Sequence, residues 1–350
     1  MRKGPPAPPA PPSPKPPTPP PPPPPPPGPC ASAADCQLNG RCSGGRCECD
    51  SGWTGHSCQQ LDLLPATVDA GLQDPKMSSW GGSVLQNKSD GAWHMFAAVI
   101  ENGCGLAAWR PNSALGHAVS RTGPTGPYRL VSGLSGQYIK PHFAHEPVAV
   151  MAADGTILIY HIGAGKNETG PGSNYAANCS EPQHCTGADH KWTGGGTFYG
   201  PTSILYSKSF EGPWQSQVAG FGSKVAGCPT CGDTNPAPII KPDGSVEMMW
   251  RTTSMMPEPG TVGKACPGGS CMAMAAAPTW KGPYSWDRSN IFRGQPHANH
   301  THIEDAHLFV KPARGVANPG SYHAIFHSDV EHNSVKNHPC CVPLPGHLCC

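Results

Sequence analysis

The sequence has little charge and no long apolar run. Charged residues make up 13% of its 350 residues, and 24 Lys and Arg side chains oppose 23 Asp and Glu side chains, for a net charge of +1. Nucleic acids and anionic membrane surfaces attract strongly basic patches, so this balance argues against both as partners. Because no stretch of about eighteen apolar residues occurs, we predict no membrane span.

A signal peptide is also missing from the start of the sequence. Met1-Arg2-Lys3 is basic, but prolines stand where the apolar segment of a signal peptide would follow. The cysteines indicate the opposite, because closely spaced cysteines in a small module need disulfides and an oxidising compartment. We therefore expect a secreted or wall-associated extracellular protein whose natural N-terminus lies upstream. Four glycosylation sequons, which predict a glycoprotein, fit this route: Asn87, Asn167, Asn178 and Asn299.

Proline and glycine are abundant, with 45 and 43 residues, and the first 29 residues are the extreme case. A run of prolines has fixed φ and few amide donors, so residues 1–29 are predicted to be a disordered spacer of polyproline II type. At about 3.1 Å per residue, the proline-rich run over residues 4–29 reaches about 80 Å. It resembles the proline-rich spacers of algal and plant wall glycoproteins. Docking of SH3-like domains is the competing interpretation, and it conflicts with an extracellular location.

Residues 30–59 contain a dense cysteine pattern that ends in Cys47-Glu-Cys49-Asp-Ser-Gly52-Trp53-Thr-Gly55-His-Ser-Cys58. Spacing alone allows fifteen pairings of six cysteines. The pattern resembles an EGF-like domain, which also suggests a protein partner for this module. The resemblance implies three disulfides: Cys30–Cys42, Cys36–Cys47 and Cys49–Cys58.

Residues 61–330 contain an internal repeat. An Asp-Gly turn between two apolar runs begins at Asp90, Asp154 and Asp243, and a degraded copy covers 320–327. Such turns predict β-hairpins. Each of the first three copies later ends in Gly-Pro-Tyr or Gly-Pro-Trp. Repeated small antiparallel sheets predict an all-β protein with the architecture of a β-propeller.

The repeat resembles the five-bladed β-propeller of glycoside hydrolase family 43 and its arabinanase, levansucrase and invertase relatives. The matching motifs are a blade ending, His117-Ala-Val-Ser120 with Gly126-Pro-Tyr128, and the blade openings Glu146-Pro147, Asn235-Pro236 and Glu304-Asp305. Four blades are evident over about 78–329. Residues 331–350 form an atypical Cys-rich tail without a strand pattern. We expect either an error in the gene sequence there or a genuine cross-linking tail.

The resemblance implies three acidic residues around the propeller axis: a base, an acid and a carboxylate that orients the acid. Counting eight residues back from each turn aspartate gives Gly82, Glu146 and Asn235. The first and third positions thus depart from the family, because neither side chain ionises. The remaining candidates for catalysis are Glu146, Glu304, Asp305 and, as a helper if the strand start shifts, Asp233. The alternative is that these carboxylates only cap strands or form ion pairs.

Six further residues are candidates for contacts with a sugar. Aromatic rings stack on sugar faces, Arg donates a planar fork of hydrogen bonds, and His bonds to hydroxyl groups. The candidates are Trp80, Arg110, His145, His161, Arg251 and His327. The alternative for the histidines and Trp80 is packing. We predict no metal site and no cofactor, with an axial calcium as the lesser possibility.

Two classes of function follow from these expectations. The first is an extracellular glycoside hydrolase acting on arabinose- or xylose-containing polysaccharide of a cell wall. The alternative is a catalytically inactive protein with a glycan-binding, wall-structural or adhesive role. Fold alone does not separate them, because one fold can carry many functions.

Overall fold

A computed structural model describes residues 29–75, 77–101, 103–106, 109–131, 139, 144–163, 202–219, 234–252, 271–293, 300–311 and 321–330. The boundary between two compact units falls after Pro65. All but the last residue of the predicted proline-rich spacer, and the whole Cys-rich tail, lie outside the described residues.

The first unit is a small disulfide-bonded module. Its strands form two hairpins: β1 (Gly40–Ser43) with β2 (Arg46–Cys49), and β3 (Trp53–Thr54) with β4 (Gln60–Leu61). Cys30–Cys42, Cys36–Cys47 and Cys49–Cys58 are bonded, which confirms the predicted pairing. Cys36, Cys47 and Cys58 are buried and form the core that so short a segment cannot otherwise build. The sulfurs of Cys30, Cys36 and Cys47 lie within 4.8 Å of one another, but disulfide sulfurs are not thiolate ligands for a metal.

The second unit consists of antiparallel sheets in which each strand pairs with its neighbour in sequence. The first sheet contains β5 (Ser78–Gln86), β6 (Trp93–Ile100), β7 (Ser113–Ser120) and β8 (Arg129–Leu130). The second contains β9 (His145–Met151), β10 (Ile157–Ile162), β11 (Thr202–Ser207) and β12 (Gln215–Val218). The third contains β13 (Thr234–Ile240), β14 (Val246–Thr252), β15 (Cys271–Ala277) and β16 (Ser285–Arg293). Two strands of a fourth are β17 (His300–Lys311) and β18 (Ser321–Val330).

The three predicted Asp-Gly turns have the same structure. In each, the aspartate Oδ1 accepts a hydrogen bond from the backbone N–H two residues later, and the glycine has positive φ, which glycine adopts readily. The three Gly-Pro peptide bonds at 126–127, 212–213 and 282–283 are all cis. The internal repeat is therefore a repeat of local backbone structure as well as of sequence.

The apolar cores lie between neighbouring sheets. On β10, Ile157 and Ile159 pack toward the first sheet, while Leu158 and Tyr160 pack toward Trp250 and the third sheet. A third cluster joins the third sheet to β17. Successive residues of a strand point to opposite faces, so a strand buried on both faces is apolar throughout. This explains why β10 is a continuous buried run rather than an alternating one.

The first strand of each sheet contacts the first strand of the next sheet: β5 contacts β9, β9 contacts β13, and β13 contacts β17. Sheets that pack face to face with their first strands adjacent have the arrangement of propeller blades. The predicted all-β fold with four evident blades is confirmed. Among the described residues the one helix is the short α1 (Trp109–Asn112). No helix in this part of the chain is long and apolar enough to span a membrane.

Candidate active site

A bulge interrupts the first strand of each of the first three sheets at an equivalent place. Pairing shifts between Trp80 and Ser83 in β5, between His145 and Val148 in β9, and between Thr234 and Ala237 in β13. A bulge inserts an unpaired residue and redirects its side chain. Four residues in left-handed conformation mark the equivalent position, with φ of 57°, 49°, 52° and 56°: Gly81, Glu146, Asn235 and Asp305.

This equivalence corrects one assignment from the sequence. Counting back from the turn aspartate placed Gly82 opposite Glu146, but the strand pairing and φ place Gly81 there. The reason is that residues 87–92 connect the first hairpin, whereas the shorter 152–156 connects the second. The absence of a side chain at this position of the first blade still holds.

In the third and fourth blades, the left-handed positions are Asn235 and Asp305. Asn235 occupies the third position, while Asp233 lies outside the described residues. In the fourth blade the left-handed residue is Asp305. Glu304 is the residue before it, and its side chain lies outside the part of the chain that the structure describes. Asp305 and Glu146 are thus the two carboxylates at equivalent positions.

The residues at the four equivalent positions contact one another in two pairs, Gly81 with Glu146 and Asn235 with Asp305. A Cβ atom added to Gly81 would lie 2.8 Å from Oε2 of Glu146, so the Glu146 carboxylate extends to the place where a side chain of the first blade would begin. Asn235 Nδ2 donates a hydrogen bond to Oδ1 of Asp305. Glu146 and Asn235 are buried, and Asp305 is half-buried. An amide donor stabilises the ionised form of a carboxylate, so Asn235 favours an ionised Asp305, which is the form that a general base needs.

His145 lies beside Glu146 in a closed environment. Its Nε2 is 3.3 Å from Oε1 of Glu146, and its Nδ1 is 2.6 Å from Oγ of Ser113. The Trp109 ring stacks on the imidazole, with centroids 4.5 Å apart. Burial lowers the pKa of His145 to about 3, because the charged imidazolium would lose its hydration. His145 is therefore neutral at physiological pH.

The remaining sugar-binding candidates fall into three groups. Trp80, beside Gly81 on β5, and Arg251, paired with Thr234, are half-buried at the level of the bulges. His161 is fully buried, and its Nδ1 is 3.1 Å from the carbonyl oxygen of Ile162, which favours packing over contact with a glycan. Arg110 lies on α1 and His327 on β18, but their side chains are outside the described residues. The sugar-binding roles stay predictions.

Sequence reasoning did not assign Ser113 or Trp109 to the site. Ser113 lies 32 residues before His145, and no local motif links them. The four-residue helix α1 places Trp109 next to His145, and a short apolar-polar segment gives no periodic signal for it.

A pair of contacting histidines elsewhere in the fold belongs to packing rather than to the site. His94 Nδ1 and His117 Nε2 are 2.8 Å apart, and both residues are buried between the first and second blades. Phe210 stacks on His94 and Phe96 on His117. Burial, with a smaller effect of His94, lowers the pKa of His117 to about 4. The blade-ending motif that begins at His117 thus contributes to the contact between blades.

A profile of the Teneurin-like EGF domain matches residues 33–61. No curated protein sequence matches the chain. An endo-1,4-β-xylanase from Bacteroides thetaiotaomicron is similar in structure, with 14% identity and a TM-score of 0.43 over 75% of this chain and 69% of that chain. An endo-arabinase from the same organism has 13% identity and a TM-score of 0.40 over 80% and 86%.

A thermostable family-43 glycoside hydrolase has 15% identity and a TM-score of 0.41 over 71% of this chain and 65% of that chain. These three structural neighbours are glycoside hydrolases. The short N-terminal module matches the Teneurin-like EGF domain and has the three disulfides that the resemblance implied.

Proposed function

We propose that this protein is a glycoside hydrolase that cleaves arabinose- or xylose-containing polysaccharide outside the cell, with Asp305 and Glu146 as its acid/base pair. The observation that carries the proposal is that these two carboxylates occupy equivalent, left-handed positions in the second and fourth blades. Side chains at equivalent positions of different blades converge on one axial region, where a sugar can lie between them.

The chemistry assigned to the pair is inverting hydrolysis. Asp305, whose ionised form is stabilised by Asn235, removes a proton from water as the water oxygen attacks the anomeric carbon. Glu146 donates a proton to the glycosidic oxygen as its bond to that carbon breaks. The products are a sugar of inverted configuration and a free hydroxyl group. This geometry needs the two carboxyl groups about 6.5–9.5 Å apart, so that water fits between base and sugar.

The test is hydrolysis of a panel of arabinans, xylans and aryl pentosides by the full chain and by Glu146→Gln and Asp305→Asn. Both variants lose polysaccharide hydrolysis, by about 100-fold or more, because each lacks one proton transfer. Glu146→Gln keeps more activity on aryl pentosides with a good leaving group, which needs no protonation. Asp243→Asn is the matched control, because Asp243 is an exposed turn carboxylate and asparagine supports the same turn. Equal activity of Glu146→Gln and this control removes Glu146 from the mechanism.

A second candidate function is glycan binding without hydrolysis. It is favoured by the two positions that cannot ionise, Gly81 and Asn235. Binding to a glycan array with no product from any glycan supports this alternative over the hydrolase. If neither is seen, we infer an adhesive or wall-structural role in which the EGF-like module contacts a protein, and deletion of residues 30–61 would abolish attachment.

Location and cofactor need are part of the same proposal. Three disulfides in a short module need an oxidising compartment, which supports a protein that is secreted or held in a wall. The assigned chemistry uses carboxylates only, so we propose that no cofactor is required and that activity is unchanged by EDTA. Loss of activity with EDTA and its return with calcium would favour the axial calcium instead.

A further inference from the structure

Beside Glu146, a short chain of buried polar groups crosses from the first blade to the second. Ser113 is the first residue of β7, and its carbonyl oxygen accepts a hydrogen bond from the backbone N–H of Ala144. Its hydroxyl group lies 2.6 Å from Nδ1 of His145, and Nε2 of His145 lies 3.3 Å from Oε1 of Glu146. Ser113 is fully buried and His145 is 5% exposed, so bulk water does not compete for these contacts.

The direction of the hydrogen bonds follows from what each group can donate. A neutral imidazole carries one N–H, and Glu146, as the proposed general acid, carries its own proton on Oε2, so that its Oε1 is left to accept. The proton must then be on Nε2 of His145 to bond to Glu146, and Nδ1 must accept from the Ser113 hydroxyl group. Ser113 is the partner that makes this arrangement favourable, because a hydroxyl group can supply the donor that Nδ1 needs.

The contacts also define where the carboxylate lies. Oε1 of Glu146 faces the imidazole, and Oε2 faces Gly81, 2.8 Å from the place where a Cβ atom would be. Trp109 covers the imidazole face and limits rotation of the ring. The residue before the bulge is Trp80 in the first blade, His145 in the second and Thr234 in the third. Among these three described bulges, the second blade is therefore the one with an imidazole at this position.

We propose that His145 is a positioning residue for Glu146 and that Ser113 sets the tautomer in which His145 does so. The inference rests on the proposed function, because it gives a supporting role to residues around one of the two assigned catalytic groups. In this role Ser113 and His145 act through Glu146 rather than through a contact with the sugar. A misplaced catalytic group loses about 10- to 100-fold in rate, so this is the expected loss in kcat when the chain of contacts is broken.

The first measurement is independent of activity. Histidines of the full chain are labelled with ¹⁵N, and the His145 signals are identified by their loss in His145→Phe. Long-range ¹H–¹⁵N spectra at pH 7 are expected to show a proton on Nε2 and none on Nδ1. In Ser113→Ala the signals are expected to move toward a mixture of tautomers. A proton on Nδ1, or on both nitrogens, in the unsubstituted protein would overturn the proposal.

The second measurement uses the hydrolysis assay and matched variants. Ser113→Ala and His145→Phe lower kcat with little change in KM, whereas His145→Gln recovers part of it, because its amide N–H can replace the Nε2 donor. Ser203→Ala is the control, since Ser203 is equally buried and its hydroxyl group donates to the carbonyl oxygen of Gly163 at 2.7 Å. Equal kcat for Ser113→Ala and Ser203→Ala would refute positioning. If the unsubstituted protein hydrolyses nothing, the proposed function fails and the positioning role with it, while the tautomer measurement still decides whether Ser113 sets the tautomer of His145.

Discussion

Acidification is expected to weaken the contact between the first and second blades through His117. The imidazole is 4% exposed, and burial lowers its pKa from 6.5 to about 4. Glu211 opposes this shift but does not cancel it. A histidine with a depressed pKa in the folded state binds its proton preferentially in the unfolded state. Stability is thus full above about pH 6.5 and falls as the pH drops from 6.5 toward 4.

The magnitude follows from these two pKa values. At pH 5 the unfolded histidine is almost fully protonated, while the folded one remains largely neutral. Proton linkage then gives a loss of about 2 kcal/mol in the free energy of unfolding between pH 8 and pH 5 for His117 alone. The carboxyl groups whose pKa is lowered, such as that of Asp154, titrate below this interval and do not contribute to it. Buried His145 adds a loss of the same sign.

The assay is urea unfolding followed by tryptophan fluorescence at pH 8 and pH 5. His117→Phe keeps a ring against Phe96 but cannot titrate, so its loss between the two pH values should be about 2 kcal/mol smaller than that of the unsubstituted protein. His307→Gln changes an exposed histidine and should leave the difference unaltered. Equal pH dependence for His117→Phe and the unsubstituted protein would refute the linkage.

Three further perturbations have expected outcomes. Gly81→Ala places a Cβ atom 2.8 Å from Oε2 of Glu146 and should lower kcat about 10- to 100-fold, whereas Gly91→Ala has a similar positive φ with nothing within 4 Å and should lose only stability. Tyr160→Phe removes a buried 2.8 Å hydrogen bond to the hydroxyl group of Tyr284 and should cost about 1 kcal/mol in urea unfolding. Reduction of the disulfides should unfold the first unit, seen as rapid proteolysis before Pro65, because such bonds contribute about 2–5 kcal/mol to small secreted domains.

Local chemistry made part of the fold predictable. The Asp-Gly turns were readable because an aspartate that accepts from the second following N–H, next to a glycine, specifies a hairpin within a few residues. The disulfide pairing came from resemblance, since spacing alone left it open. The strands were visible as short apolar runs. Which apolar cluster each side chain joins could not be predicted, because it depends on which sheet packs against each face of the strand.

The candidate site was less predictable, because its geometry depends on the register of strand pairing. One extra residue in the first hairpin connection moved the equivalent position from Gly82 to Gly81, and counting from the turn could not detect it. Choosing between Glu304 and Asp305 required the φ values. The contact between Ser113 and His145 joins two blades, and nothing near either residue in the sequence indicates it.

The left-handed position at the bulge has a consequence for how this protein trades stability against function. Glycine, asparagine and aspartate adopt positive φ at low cost, and they occupy three of the four equivalent positions. Glu146 is the exception, with φ of 49° and a longer side chain that gains nothing from this backbone conformation. Asparagine at residue 146 would suit the backbone better, so the folded state alone does not favour glutamate there. Selection for foldability would therefore tend to erase Glu146, whereas the catalytic role proposed for its carboxylate would retain it.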